Sequence, residues 1–424
     1  MNFSGLSLDQ APPIKVPFLY FLSAPLFALI ALSVLLIGGF DSFSQFSHTT
    51  IASLHLVTIG FFSFVMFGAL TQMLPVIASA TISHVTRIPF VAFVLMVFGL
   101  LSMVIGLVWY TPSSFTFSYI ALGFGFITAL LSLFHAIASI VHITPTIRFV
   151  FASLGVALFV VLLGVFLLYG FANEDINILH YMVMHIHSVY AVFGFAFLLI
   201  VGVSFQILPM FYVAPDFSRY MQQWYMPVFL VLLLVWGGVN LFPLDAELYV
   251  KIALVAMVLL YLYEFYRKLI TRKRKINDAT IRYFQTGIVS LFFGLFLWIW
   301  DYNAHTIMVA SILIGIFLFS IMQGMLYKIV PFLVWFHLNA KGYMSIPVTT
   351  QIIEAKRVTM QYKLFVSGAV LLILGVFQAI FFYSAVAVLF ASFVLLEYNL
   401  IEAFVLYKNT LKKQPDFDMQ SFKG

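Results

Sequence analysis

The chain is a succession of apolar runs long enough to cross a bilayer, separated by short polar breaks. A helix needs about 20 apolar residues to span the hydrocarbon core. By that measure the sequence predicts twelve membrane-spanning helices, over 17–38, 50–78, 89–110, 115–142, 147–170, 178–210, 224–242, 248–268, 281–300, 303–334, 362–383 and 385–408. The second, sixth and tenth are the long ones, and they end alike. Gly68-Ala-Leu-Thr-Gln72-Met-Leu-Pro75 returns as Gly202-Val-Ser-Phe-Gln206-Ile-Leu-Pro209 and again as Gly324-Met-Leu-Tyr-Lys328-Ile-Val-Pro331. The glycines at 68, 202 and 324 are 134 and 122 residues apart. Self-similarity at a long period marks internal repetition. The expected fold is therefore an all-α polytopic membrane protein. It would be a single membrane domain of three four-helix repeats, over 17–142, 147–268 and 281–408, with a tail over 409–424.

Composition agrees with the pattern. Apolar residues make up 63% and charged residues 8%, and the mean hydropathy is +1.09. A soluble domain carries about 25% charge. The chain has no cysteine, so thiolate metal ligands, iron–sulfur clusters and disulfides are excluded. Met1 to Pro17 lacks a basic segment ahead of its apolar run, so the first helix is expected to be retained rather than cleaved.

The net charge of +6 records topology. With the N-terminus inside, the inner loops hold Arg87, Arg148, Arg219, the Arg267–Arg282 cluster, Lys341, Lys356 and Arg357, and the tail adds Lys412, Lys413 and Lys423. Of 21 Lys and Arg residues only Lys251 falls near an outer loop. Cytoplasmic loops are enriched in Lys and Arg, so both termini are expected to be cytoplasmic. The run Arg272-Lys-Arg-Lys275 reads as an anchor at anionic headgroups, and no nucleic-acid partner is expected.

Histidines carry the candidate chemistry. His48, His55, His180, His185, His187 and His305 all lie near the outer ends of the second, sixth and tenth spans. His48 and His55 are seven residues apart, as are His180 and His187, and positions seven apart share a helix face. His185 and His187 are about 200° apart around a helix, so they face opposite flanks. A histidine near a helix end can simply bond headgroups or water. Ionisable groups in a membrane segment are also costly and mark function, and imidazole is a ligand for haem iron and copper.

These residues resemble a known superfamily. Three four-helix groups in pseudo-threefold array, with long second, sixth and tenth helices, look like the catalytic subunit of haem–copper oxidases and nitric oxide reductases. The stretch His55-Leu-Val-Thr-Ile-Gly-Phe-Phe-Ser-Phe-Val-Met is similar to that family's second helix, whose opening histidine is an axial ligand of the low-spin haem. His185-Ile-His187-Ser-Val-Tyr is similar to the family's H-x-H, which serves two haems on opposite flanks. The topology also resembles the NnrS family of haem- and copper-containing membrane proteins. The resemblance implies haem b between His55 and His187, with a second haem or copper at His185. His180, His48 and His305 are further candidate metal ligands. A redox partner or a small gaseous ligand would be the reaction partner, in a bacterial-type inner membrane with the histidines toward the outer side.

Two departures stand out. The H-x-H lies on the sixth span here and on the tenth in the family. The family's adjacent His-His copper ligands are missing, since the corresponding region reads Gln222-Gln223-Trp224-Tyr225-Met226. The usual oxidase copper site is therefore not expected. Glu397, Glu402 and Glu264 are candidates for a proton path. The competing expectation is a cofactor-free transporter or metal-handling permease on the same scaffold, and a copper-delivery factor is a third. Placing the repeat prolines at helix ends counts against the transporter, because transporters break their helices near the midplane.

Overall fold

The computed structural model describes residues 12–44, 47–242, 245–276 and 278–417. Met1 to Ala11 and Lys423, used above for processing and orientation, lie outside the described residues. Among the described residues the chain is helical and has no strand. The α-helices are α1 (Lys15–Gly38), α2 (His48–Val57), α3 (Phe64–Ala78), α4 (Arg87–Trp109), α5 (Pro112–Ala138), α6 (Pro145–Ala172), α7 (Ile178–Val189), α8 (Leu198–Tyr212), α9 (Arg219–Gln223), α10 (Tyr225–Leu241), α11 (Glu247–Thr271), α12 (Ala279–Trp300), α13 (Ala304–Asn339), α14 (Ala355–Leu374) and α15 (Ala379–Thr410). A π-helical segment, Thr58–Ser63, joins α2 to α3, and a second, Tyr190–Phe197, joins α7 to α8. Eleven helices among the described residues are long and apolar enough to cross a membrane. The expected span over 224–242 is α10, an apolar helix of seventeen residues, shorter than the others.

Local chemistry explains the helix ends. Ser47 accepts from the Thr50 backbone N–H at 3.1 Å to start α2, and Asn177 accepts from the His180 backbone N–H at 3.2 Å to start α7. Each satisfies an amide that the first helical turn leaves without a partner. Proline opens α5 and α6, where its missing N–H costs nothing. The repeat prolines fall in the last turns of α3 and α8, near the helix ends as expected, and farther from the end of α13. Pro75, Pro209 and Pro331 lie inside α3, α8 and α13. Proline ring clash and the missing N–H act on the turn before it, so the chain can continue helically beyond.

The chain divides into two compact units. One comprises 1–79, 278–287 and 315–424, and the other 80–277 and 288–314. In the first unit α1 packs on α2, α3 and α15, and α14 packs on α15. In the second, α4 packs on α5, α5 on α6, α6 on the span formed by α7 and α8, and α10 on α11.

The motif glycines sit where helices come closest. A Cβ on Gly68 would fall 2.7 Å from Phe21 of α1, one on Gly202 2.3 Å from Phe149 of α6, and one on Gly324 3.2 Å from Tyr283 of α12. In all three cases the partner is an aromatic residue on the span just before. Small residues let helix backbones approach in lipid, where packing replaces the hydrophobic drive.

The described part of the tail, to Phe417, folds back within its unit. Asp416 accepts from the backbone N–H groups of Met344 and Ser345 at 2.6 and 2.7 Å, and from the Ser345 hydroxyl at 3.1 Å. Those donors hold its carboxyl below the usual carboxylate range. Tyr343 donates to the backbone oxygens of Leu411 and Lys413.

Two outcomes follow from this packing. Gly202→Ala is expected to cost the most stability, Gly68→Ala less and Gly324→Ala least, the first two by about 1–3 kcal/mol each. Thermal unfolding in detergent checks the order, and an equal cost at all three would show that the rings yield. The Asp416 carboxyl has a lowered folded pKa. Its clamp is therefore complete above the free carboxyl value of about 4 and is lost as pH falls through the folded value. Limited proteolysis of the tail should accelerate for Asp416→Asn at pH 7, and for the parent chain only in acid.

Candidate functional site

Two spans carry five of the ten histidines, and they are built alike. In one, α2 runs into a π-helical segment of six residues and then the fifteen residues of α3. In the other, α7 runs into a π-helical segment of eight residues and then the fifteen residues of α8. His55 and His187 each stand three positions ahead of their π-helical segment, and His48 and His180 stand seven positions ahead of those. Each π-helical segment has a glycine at its fourth position from the end, Gly60 and Gly194. A Cβ there would fall 2.4 Å from Phe27 of α1 and 2.5 Å from Val156 of α6 respectively. Single π-helical turns inside α-helices occur often at functional sites.

The two imidazoles are held in the same protonation pattern by different groups. His55 Nδ1 lies 2.8 Å from the Ile51 carbonyl one turn back on α2. His187 Nδ1 lies 3.1 Å from the Val160 carbonyl on α6. A carbonyl can only accept, so in each ring Nδ1 bears the hydrogen and Nε2 bears the lone pair. That is the form in which imidazole ligates a metal, with its other nitrogen steadied by a carbonyl. The His187 ring also lies against Gly164 of α6, where a Cβ would stand 3.2 Å from Cε1.

His185 turns to another neighbour, as the spacing requires. Its ring centroid is 5.0 Å from that of Trp236 on α10. Glu247, Lys251 and Asp301 lie close enough to act on it electrostatically. Lys251 is buried there, 3.3 Å from Asp301 and 3.6 Å from Glu247, with its ammonium 5.3 Å from the Trp298 ring centroid. Lys251 is thus an internal counter-ion to two carboxylates.

The remaining histidines are dispersed. His180 is buried against Gly170 and the edge of Phe171, and neither ring nitrogen has a protein hydrogen-bond partner among the described residues. His48 is the first residue of α2 and half-buried, and His305 is exposed at the start of α13. Among the described residues no three His, Asp or Glu side chains converge as a metal site.

The three carboxylates proposed for a proton path have separate surroundings. Glu264 pairs with Lys268 at 3.4 Å and Arg267 at 3.8 Å near the end of α11. Glu402 pairs with Arg357 of α14. Glu397 has a buried oxygen, Oε2, without a protein partner among the described residues. The motif residue Lys328 pairs with Asp278, and Gln72 Nε2 lies 3.5 Å from His337 Nε2.

Sequence reasoning passed over a second polar set. Tyr283, Gln323, Tyr327, Gln361, Ser392 and Asn399 are joined by hydrogen bonds in the first unit. The available signal was the spacing of Ser320, Gln323 and Tyr327, which places three polar groups on one face of an apolar helix. A scan against protein-family models finds no match for this chain, and a search of curated proteins finds no relative.

His180 offers a direct check. Burying an unpaired polar group costs about 1–3 kcal/mol, so His180→Leu is expected to leave thermal stability unchanged or raise it. A marked fall would show that the ring nitrogens bond a bound group.

Proposed function

We propose that this chain is an integral membrane haem protein in which His55 and His187 would hold b-type haem iron through their imidazoles. The carrying observation is the shared placement of the two rings. Both stand three positions ahead of a π-helical segment, with Nδ1 tied to a carbonyl and the lone pair on Nε2. Such a haem supplies reversible one-electron transfer, for electron transport or for chemistry with nitric oxide or oxygen. The residues' part is to present the imidazoles in one tautomer and fix their direction. His185, turned toward Trp236 and the Lys251 ion pairs, would serve a second group on its own flank.

The same reading takes α10 as a twelfth span and the chain as three four-helix repeats with both termini cytoplasmic. The three matched contacts between a motif glycine and an aromatic residue of the preceding span support the repeats. The membrane would be of the bacterial inner type, with the histidines toward the outer side.

A second reading has its own support. Transporters place irregular backbone at matching positions of their repeats, and the two π-helical segments, each with a close-packed glycine, are such a pair. On this reading the histidines line a path for a metal ion.

Absorption spectra of the purified, reduced protein decide between them. A Soret band with a low-spin bis-imidazole signature is expected, and His55→Ala and His187→Ala should each abolish that signature. A variant that leaves the spectrum unchanged removes its residue from the ligand set. Haem-free protein that accumulates a transition-metal ion in proteoliposomes would establish the transporter instead.

A further inference from the structure

The polar set missed by the sequence forms a directed chain through apolar helices. Asn399 Nδ2 donates to Tyr327 Oη at 3.0 Å, and Tyr327 donates to Gln361 Oε1 at 3.3 Å. Gln361 Oε1 also accepts from the Tyr283 hydroxyl. Gln361 Nε2 in turn donates to Gln323 Oε1 at 2.6 Å and to Ser392 Oγ at 2.9 Å. The amides of Gln323, Gln361 and Asn399 and the hydroxyls of Ser320 and Ser392 are fully buried, each at 0% exposure. Helices α12, α13, α14 and α15 each contribute, and every residue belongs to the first unit.

The chain is saturated in its middle and open at its ends. Gln361 uses both its acceptor and its donors. Among the described residues, Gln323 Nε2, Ser320 Oγ and Asn399 Oδ1 have no protein partner. Each such atom left dry costs about 1–3 kcal/mol. Three of them in one helix bundle is a load that bound solvent removes, since buried water makes about three hydrogen bonds to groups of this kind. The open atoms include a donor and an acceptor, which water satisfies equally. Amides bind water but do not hand on a proton readily at neutral pH, so the cluster suits uncharged hydrogen-bonding ligands.

One end of the column reaches a charged mouth. Asn399 is one turn from Glu402, which pairs with Arg357, and Arg357 Nε lies 3.6 Å from Glu354. These side chains are partly exposed, and they lie toward the end of the bundle where α15 finishes. From Tyr327 to Ser320 is seven residues of α13, about 10 Å of further depth.

We propose that this column is a hydrated binding site for water. Water reaches Gln323 and Ser320 deep in the helix bundle from the Arg357–Glu402 end, which is the end carrying the C-terminal tail. The inference rests on the membrane placement of these helices and not on haem.

The lack of native cysteine allows a direct test. Ser320→Cys and Ser392→Cys are near-isosteric, and Ala24→Cys on α1, also at 0% exposure, is the dry control. Methyl methanethiosulfonate, which is small and uncharged, is added to one side of vesicles, with a thiol scavenger on the other, and sidedness is read from a C-terminal tag. Only the thiolate reacts, and apolar surroundings suppress it, so Ser320→Cys should label from the tag side at least about tenfold faster than Ala24→Cys. Ser392→Cys should behave likewise and carries the test if Ser320→Cys does not fold. Labelling no faster than the control, equal from both sides, or only from the opposite side would overturn the proposal.

Discussion

In hydrocarbon a backbone amide has no water to bond, so a membrane span can admit an irregularity only if its hydrogen bonds survive. A π-helical turn meets that condition. It inserts a residue and bonds from i to i+5, and in the first segment the Ser63 hydroxyl also donates to the Thr58 carbonyl. The two histidine-bearing spans use this device to different extents. His55 to Pro75 is 20 residues and His187 to Pro209 is 22, and the two π-helical segments are six and eight residues long. The extra length is absorbed there, so α3 and α8 remain fifteen residues each with proline at the same position. Backbone satisfaction therefore lets the histidine end and the proline end keep their own register.

The close approach of neighbouring spans then sets the chemistry. Along α6, Phe149 meets Gly202, Val156 meets Gly194, the Val160 carbonyl meets His187, and Gly164 lies under the same ring. These residues form one stripe of α6, and the two glycine contacts bring its backbone near enough for Val160 to hold an imidazole. On α1 the corresponding stripe begins with Tyr20 at Gly68 and Phe27 at Gly60. There the next carbonyl, Ala31, accepts from Ser53 at 3.0 Å, and His55 takes a carbonyl of its own helix instead. Helix packing and histidine tautomer are thus one problem solved twice, with different partners.

The helical class and the membrane spans were legible because lipid demands long apolar runs and punctuates them sharply. The π-helical segments were not legible. Thr58–Ser63 and Tyr190–Phe197 hold the same aromatic and aliphatic residues as ordinary helix, and no proline marks them. Counting back from the motif glycines matches His55 with Val189, whereas counting back from the start of each π-helical segment matches it with His187. Partners far away in the chain were equally hidden. Lys328 showed in the sequence only as a member of the repeated motif, and its counter-charge is Asp278, fifty residues earlier. Gln361 in an apolar span suggests nothing until Tyr283, Gln323 and Ser392 are set around it.

The three motif-bearing helices also divide their polar chemistry. Helix α13 is continuous and has His305 alone near its start, with no pair of histidines seven apart. Counting from the motif glycine, its Ser320, Gln323 and Tyr327 correspond to Phe64, Phe67 and Thr71 in α3 and to Leu198, Val201 and Phe205 in α8. The same register that elsewhere buries mostly aromatic and aliphatic side chains here buries a hydroxyl, an amide and a phenol. Apolar side chains at these places need no partner, whereas polar ones destabilise the bundle unless something bonds them. The two candidate sites therefore fall at different registers of related helices. Imidazoles gather before the π-helical segments of two, and an open hydrogen-bond chain occupies the deep register of the third.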